Sequence, residues 1–310
     1  MGTQKHNKAI FLAGPTAVGK SAVALELAVR IGGEIISVDS MQVYRGLDIG
    51  TAKPTAAERA RVPHHLIDVM ELTEPFDAAK FVVLANQAVA DIQSRGCVPI
   101  FCGGTGLYFK ALLDGLGKAP PADTGLRTEL EATPLEGLLR ELEQRDPATF
   151  EKIDRRNPRR VVRAIEVIRL TGKPFSTQRA EWSHASRLTD HGSRILCLTR
   201  SAADLQTRIN LRVEDMFARG LVEETKCLLD HGLEQNQTAM QAIGYRQVVE
   251  HLRSQRSLAE TIELVKIKTR QFVKRQMTWF RRQLPVEWIE LKPDDTSAAT
   301  VALVRARCVA

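Results

Sequence analysis

Gly14-Pro15-Thr16-Ala17-Val18-Gly19-Lys20-Ser21 fits the pattern G-x-x-x-x-G-K-[ST] without a gap. Its flanks are the ones this pattern needs. Lys8-Ala9-Ile10-Phe11-Leu12-Ala13 reads as a short buried strand leading in, and Ser21 to Ala28 as a helix leading out. In such a unit the glycines let the loop fold back. Consecutive backbone N–H groups then point at one anion, and the helix N-terminus adds partial positive charge. Lys20 reaches the phosphates furthest from the loop, and the Ser21 hydroxyl is placed to hold Mg²⁺. The expectation is a di- or triphosphate site formed by Gly14 to Ser21, with Mg²⁺ as the cofactor.

Residues 8 to about 114 alternate strand-like and helix-like segments, the signature of a parallel sheet with covering helices. Gly32-Gly33 ends one element and Glu34-Ile35-Ile36-Ser37-Val38 starts a second strand. Asp77 is placed to cap a helix running through Phe81, Leu84, Ala88 and Ile92, with Gly96 as its stop. Val98 to Cys102 is a further strand, followed by Gly103-Gly104-Thr105-Gly106. Ligands of open α/β sheets bind outside the carboxyl ends of the strands, so Asp39 and Thr105 are expected to face the phosphate loop. From Gly115 to about Ser193 the pattern is helical and rich in Leu, Glu and Arg. Within it Asn157 caps a helix that starts at Pro158 and stops at Gly172. Arg194 to Thr199 resumes the strand pattern, and the last hundred residues are mainly helical, closing with the strand-like Val286 to Glu290. The predicted fold is α/β: a P-loop NTPase-like parallel sheet core (1–115 and 194–310) with a helical insertion domain (116–193).

The 310 residues suffice for a large core and two domains, and the apolar (44%) and charged (26%) fractions are those of a globular protein. The net charge of +7 points to nucleic acid or an acidic surface. No run approaches the ~18–20 apolar residues of a membrane span, so no membrane is expected. The polar start, Met1 to Asn7, lacks the apolar core of a signal peptide. The five cysteines are scattered without a C-x-x-C pair, which suits reduced thiols in the cytoplasm.

Asp39 ends an apolar strand and begins Asp39-Ser40-Met41-Gln42-Val43-Tyr44-Arg45. It reads either as a carboxylate holding Mg²⁺ through water or as a general base beside the transferred group. Two arginine-rich zones carry the positive charge. One is Arg155-Arg156-Asn157-Pro158-Arg159-Arg160, continued by Arg163 one turn after Arg159. The other, Lys266 to Arg282, contains no Asp or Glu, and places Lys266, Arg270, Lys274 and Arg281 on one side of a helix. An all-basic stripe beside an apolar one suits phosphate contacts. Trp279, Phe272 and Phe280 read as core. His64-His65 are adjacent and cannot converge on one ion, so capping or packing is expected of them. Ala242-Ile243-Gly244-Tyr245-Arg246-Gln247 reads as a turn presenting Tyr245 and Arg246.

Gly14 to Ser21, Asp39 to Pro54, Gly103-Gly104-Thr105-Gly106-Leu107-Tyr108, Ile243 to Gln247 and Lys274 to Arg281 together resemble the tRNA dimethylallyltransferases (tRNA isopentenyltransferases) of the bacterial type. The resemblance spans nearly the whole chain, and Asp39 to Pro54 is its most specific piece. It implies transfer of a dimethylallyl group from dimethylallyl diphosphate to N6 of adenine 37 in tRNAs reading codons that start with U. It also implies that Asp39 takes or orients the N6 proton, that Thr105 lies near it, and that Lys20 stabilises the leaving diphosphate. Arg212 or Arg208 would add a second cation there. By the same resemblance the adenine is flipped out of the anticodon stem-loop. Contacts to the tRNA would then come from Asp39, Ser40, Met41, Gln42, Thr105, Arg127, Arg159, Arg160, Arg163, Gly244, Tyr245, Arg246, Gln247, Lys274, Arg275, Gln276 and Arg281. A monomer suffices for one tRNA. The rival expectation is a P-loop small-molecule kinase using ATP, which accounts for Gly14 to Ser21 and Asp39 but leaves the basic zones unexplained.

Overall fold

A computed structural model describes residues 8–116, 120–178 and 194–309. The chain divides into two compact units, Met1–Ala111 with Arg187–Ala310, and Leu112–Ser186. The sequence analysis places these borders at 116 and 193, the second of which lies outside the described residues. In chain order the elements begin with β1 (Ile10–Ala13), α1 (Lys20–Ile31), β2 (Gly33–Val38), α2 (Ala56–Arg61), β3 (His64–His65), α3 (Ala78–Ser94), β4 (Val98–Gly103) and α4 (Gly106–Asp114). Next come α5 (Thr124–Ala132), α6 (Leu135–Arg145), α7 (Pro147–Lys152), α8 (Pro158–Thr171) and α9 (Phe175–Gln178). The chain finishes with β5 (Ile195–Thr199), α10 (Ala202–Ala218), α11 (Leu221–Asp230), α12 (Tyr245–Leu252), α13 (Leu258–Gln283), β6 (Val286–Glu290) and α14 (Ser297–Val309).

Six parallel strands form one sheet in the order β3-β2-β4-β1-β5-β6. Strands covered on both faces read as continuous apolar runs, and β2 is buried along its whole length. Val23, Leu27 and Ala28 of α1, Ile209 and Val213 of α10, Val265 and Val273 of α13, and Val301 and Val304 of α14 join the strands in one apolar cluster. Phe11 stacks on Phe101 across the β1–β4 pair, with ring centroids 4.9 Å apart. Two elements differ from the sequence reading. His64–His65 is a two-residue edge strand, too short to show an alternating pattern. The chain does not close on β6, since α14 follows it.

The register decides where the chemistry falls. Gly103 pairs with Ala13 on one side and with Val38 on the other. The carboxyl ends of β1, β2 and β4 are therefore level, and they deliver Gly14, Asp39 and Gly104 to the same rim of the sheet. The Thr105 N–H donates to Val38 O at 3.2 Å, which draws the turn after β4 against the end of β2.

The second unit has its own apolar core. Leu130, Leu138, Leu142, Val161, Val162, Ala164, Ile165 and Ile168 pack together. Its longest helix, α8, starts and stops where the sequence placed it. Asn157 accepts the Arg160 N–H, Pro158 opens the helix, and Gly172 ends it at φ +69°.

A Cβ on Gly103 would run into the Val38 carbonyl. Gly103→Ala is therefore expected to cost about 1–3 kcal/mol, read as a lower denaturation midpoint of the full chain in urea.

Candidate functional site

Gly14 lies at φ +147°, and a Cβ there would sit 2.7 Å from Leu198 O, so the first position of the phosphate loop must be glycine. Ala17 and Gly19 lie at φ +64° and +105°. The first of these is a left-handed conformation that alanine adopts only when its surroundings hold it. Three side chains do so. Arg208 donates from Nε to Ala17 O at 2.8 Å, and Arg200 from Nε to Val18 O at 2.9 Å. Gln276 accepts the Thr16 N–H at 2.9 Å. Arg200 is in turn fixed by Asp204 and by the carbonyl of Lys292, at 2.8 and 2.9 Å.

Lys20 donates to Pro15 O at 2.7 Å. Burial lowers its pKa to about 8, and the nearby Arg212 pushes the same way, while Asp39 and the Cys102 and Cys197 thiols oppose the shift. The Arg212 guanidinium is likewise held below its usual range by burial, against the attraction of Asp39. Two desolvated cations thus face one carboxylate, and the positive excess favours an anionic ligand.

Two cavities meet here. One, of about 530 Å³, is lined by Lys20, Ser21, Lys53, Arg208, Arg212 and Arg219. The other, of about 340 Å³, is lined by Asp39, Ser40, Met41, Thr105 and Phe272 among others. Thr16 and Arg212 belong to the walls of both. The first suits phosphate groups, and the second combines an apolar wall with a carboxylate and a hydroxyl. Ser21 is exposed beside Lys20. Among the described residues no three His, Cys, Asp or Glu side chains cluster as a metal site. One hydroxyl beside a phosphate site suits Mg²⁺ whose other ligands are phosphate oxygens and waters.

The segment from Asp39 to Lys53 walls the smaller cavity and is pinned at both ends. Asp39 Oδ1 accepts the N–H groups of Met41 and Gln42 at 2.8 and 3.3 Å. Gln42 accepts from the Ser37 hydroxyl at 2.8 Å and donates to Thr51 O and Ala52 O. The Lys53 ammonium, almost wholly buried, donates to Tyr44 O, Asp48 and Asp68. In the middle, Glu224 accepts the Ile49 N–H at 2.9 Å and the Tyr245 hydroxyl at 2.6 Å. The same hydroxyl accepts the Gly50 N–H at 3.1 Å.

Several residues expected to contact RNA have partners within the chain itself. Tyr245 is fully buried and its hydroxyl is committed to Glu224 and Gly50, so it positions the segment and is not presented by a turn. Gln247 is buried and accepts the Gly244 N–H at 2.9 Å. Gln42 and Gln276 also spend their amides on the protein itself. Lys266 is buried against Glu214 and Glu263, each at 2.8 Å, which removes it from the basic stripe. In the second unit Arg127 and Arg163 both bind the wholly buried Glu166, at 2.8 and 2.6 Å. Of the cations expected to contact RNA, the exposed ones are Arg159 and Arg160 on α8, Arg246 on α12, and Lys274, Arg275 and Arg281 on α13. Arg246 pairs with Glu250, and Arg281 lies over the Trp288 ring. Sequence reasoning missed Arg200 and Glu224. Their partners are backbone groups 182 and 175 residues away, which leave no local motif.

The profile of the IPP transferases matches residues 42–283. The chain belongs to the IPP transferase family. Among related IPP transferases, the tRNA dimethylallyltransferase 1 of Trichlorobacter lovleyi is 46% identical over 91% of this chain and 93% of that one. The tRNA dimethylallyltransferase of Geobacillus kaustophilus is 43% identical, covering 95% and 94%. The solved tRNA isopentenylpyrophosphate transferase of Bacillus halodurans superposes with a TM-score of 0.70 at 38% identity, covering 98% of this chain and 97% of that one. A eukaryotic dimethylallyltransferase, solved acting on tRNA, gives 0.79 at 29% identity, covering 96% and 78%.

In this IPP transferase the depressed Lys20 pKa sets a pH dependence for anion binding. A bound diphosphate favours the ammonium. Below pH 8 that form is already present, and above it binding must take up a proton. Affinity for dimethylallyl diphosphate, whose terminal phosphate has a pKa near 6, is expected to fall as pH rises past 8, with proton uptake in calorimetry. Constant affinity and no proton uptake between pH 7 and 10 would contradict the assignment.

Proposed function

We propose that the chain transfers the dimethylallyl group of dimethylallyl diphosphate to N6 of adenine 37, beside the anticodon, in tRNAs reading codons that start with U. The observation that carries this reading is the shared wall of the two cavities. Arg212 and Thr16 border both the cationic cavity at the phosphate loop and the cavity holding Asp39 and Thr105. A diphosphate in the first places its allyl carbon toward an amine in the second. The bond from C1 to the diphosphate oxygen breaks, the electron pair leaves with diphosphate, and N6 forms the new bond to C1. The N6 proton passes to Asp39 or is held by it during the displacement.

The main electrostatic demand is negative charge on the departing diphosphate. Lys20, Arg212 and the loop amides meet it. Ser21 would hold Mg²⁺, which supplies further screening of that charge when bound. Asp39 is held for its role by the Met41 and Gln42 N–H groups, which orient its carboxylate at the cavity wall. Thr105, whose N–H is drawn against Val38 O, lines the same cavity. A phosphate loop serves here by gripping a diphosphate, with no phosphoryl group moved. The relatives are named for dimethylallyl transfer, which supports this reading over the kinase.

An adenine reaches such a cavity only when unstacked, at a cost of a few kcal/mol. Backbone contacts from exposed cations offset that cost, and Lys274, Arg275, Arg281, Arg246, Arg159 and Arg160 are the candidates. No helix among the described residues is long and apolar enough to cross a membrane. We place the reaction in the cytoplasm and assign it to a monomer.

The test is incubation with Mg²⁺ and unmodified tRNA, with dimethylallyl diphosphate in one sample and ATP in another, followed by nucleoside mass analysis. A gain of one C5H8 unit on adenosine in the first sample alone is the expected result. Consumption of ATP upon addition of a small hydroxyl compound, with unaltered RNA in both samples, would restore the kinase. Asp39→Ala is expected to lower kcat by about 10²–10⁴-fold while tRNA affinity stays near that of the native chain. Loss of tRNA binding with turnover intact would remove Asp39 from the chemistry.

A further inference from the structure

Gln276 lies on α13 next to the exposed Lys274 and Arg275, yet its own side chain turns inward and is buried. Its Oε1 accepts the Thr16 N–H of the phosphate loop at 2.9 Å, and its Nε2 donates to Gly104 O at 2.9 Å. A planar amide offers a donor and an acceptor from one rigid group; a lysine lacks the acceptor and a carboxylate lacks the donor. The fit is close on the second side, where a Cβ on Gly104 would strike Nε2. Gly104 immediately precedes Thr105, and Thr16 borders both cavities.

We propose that Gln276 is a positioning residue that ties the phosphate loop to the Gly104–Thr105 turn and so sets the spacing between the diphosphate and the acceptor amine. It acts through two backbone groups, Thr16 N–H and Gly104 C=O. Because α13 also presents Lys274 and Arg275 outward, the helix that meets the RNA is the one that holds this spacing. The kinetic part of the test rests on the transfer reaction proposed above.

Gln276→Glu gives the decisive readout. A protonated carboxyl reproduces the amide's donor and acceptor, whereas the carboxylate sets a negative oxygen against Gly104 O, and burial raises its pKa. The ratio of variant to native kcat should therefore start near one at low pH and decline steadily as pH rises, with KM for both substrates little changed. Gln276→Leu, similar in shape, should lose about 100-fold in kcat at every pH, the size of loss expected when reacting groups are misplaced by about 1 Å. A flat kcat ratio for Gln276→Glu, or a raised KM for tRNA with kcat intact, would overturn the proposal. If both variants unfold, as read by thermal melting, the native chain still decides. Its Thr16 amide should exchange slowly with deuterium in the absence of any ligand, and exchange at the rate of a free loop amide would overturn the tie. A native chain with no transferase activity would instead count against the proposed function, leaving the amide exchange to judge Gln276.

Discussion

The carbonyls of Ala17 and Val18 receive the guanidinium donors of Arg208 and Arg200, and most of the site follows from those two hydrogen bonds. With the carbonyls held by α10 and by the residue that follows β5, the intervening N–H groups are left to gather around an anion. The left-handed Ala17 is the cost of this shape, about 1 kcal/mol or somewhat more for a non-glycine residue. Charged donors to neutral acceptors contribute about 1.5–3 kcal/mol each, so the two together outweigh it. The loop is thus preorganised from outside, and little rearrangement is left for the ligand to drive.

The same economy governs the wall of the smaller cavity. Glu224 and Tyr245 hold Ile49 and Gly50, and Lys53 with Asp48 and Asp68 holds the far end. Residues that resemble RNA-contacting groups by their polarity are in several cases the struts of this wall. Buried polar groups must be satisfied or they cost about 1–3 kcal/mol each. A buried Tyr245 or Gln247 therefore carries information about backbone position.

How much was legible in the sequence follows from the range of the forces involved. Gly14 to Ser21 and the five apolar strands were readable because strand burial and loop geometry are local. The Asn157 and Gly172 caps were readable because capping acts within one turn. The edge strand at His64–His65 was hidden, since two residues paired with Ile35 and Ile36 carry no periodicity of their own. The basic stripe on α13 was overdrawn at Lys266, because its neutralising partner Glu214 lies on α10, beyond any local window. The ion pairs of Arg127 and Arg163 are hidden from a local window for the same reason. Glu166 between them is buried, and burial of a single glutamate cannot be read from helix spacing. What tertiary structure adds is the distinction between a charge offered to a partner and a charge already answered within the chain.

In the proposed reaction, one rim of the sheet holds the leaving diphosphate and the attacking amine on either side of Arg212 and Thr16. The most direct measurement is an experimental structure of the chain with inorganic diphosphate and an unmodified anticodon stem-loop. Diphosphate is expected against Lys20 and the amides of the Gly14–Ser21 loop, with one adenine extruded and its N6 within hydrogen-bond distance of Asp39. A diphosphate bound away from Lys20, or an adenine entering a cavity that Asp39 does not line, would contradict it.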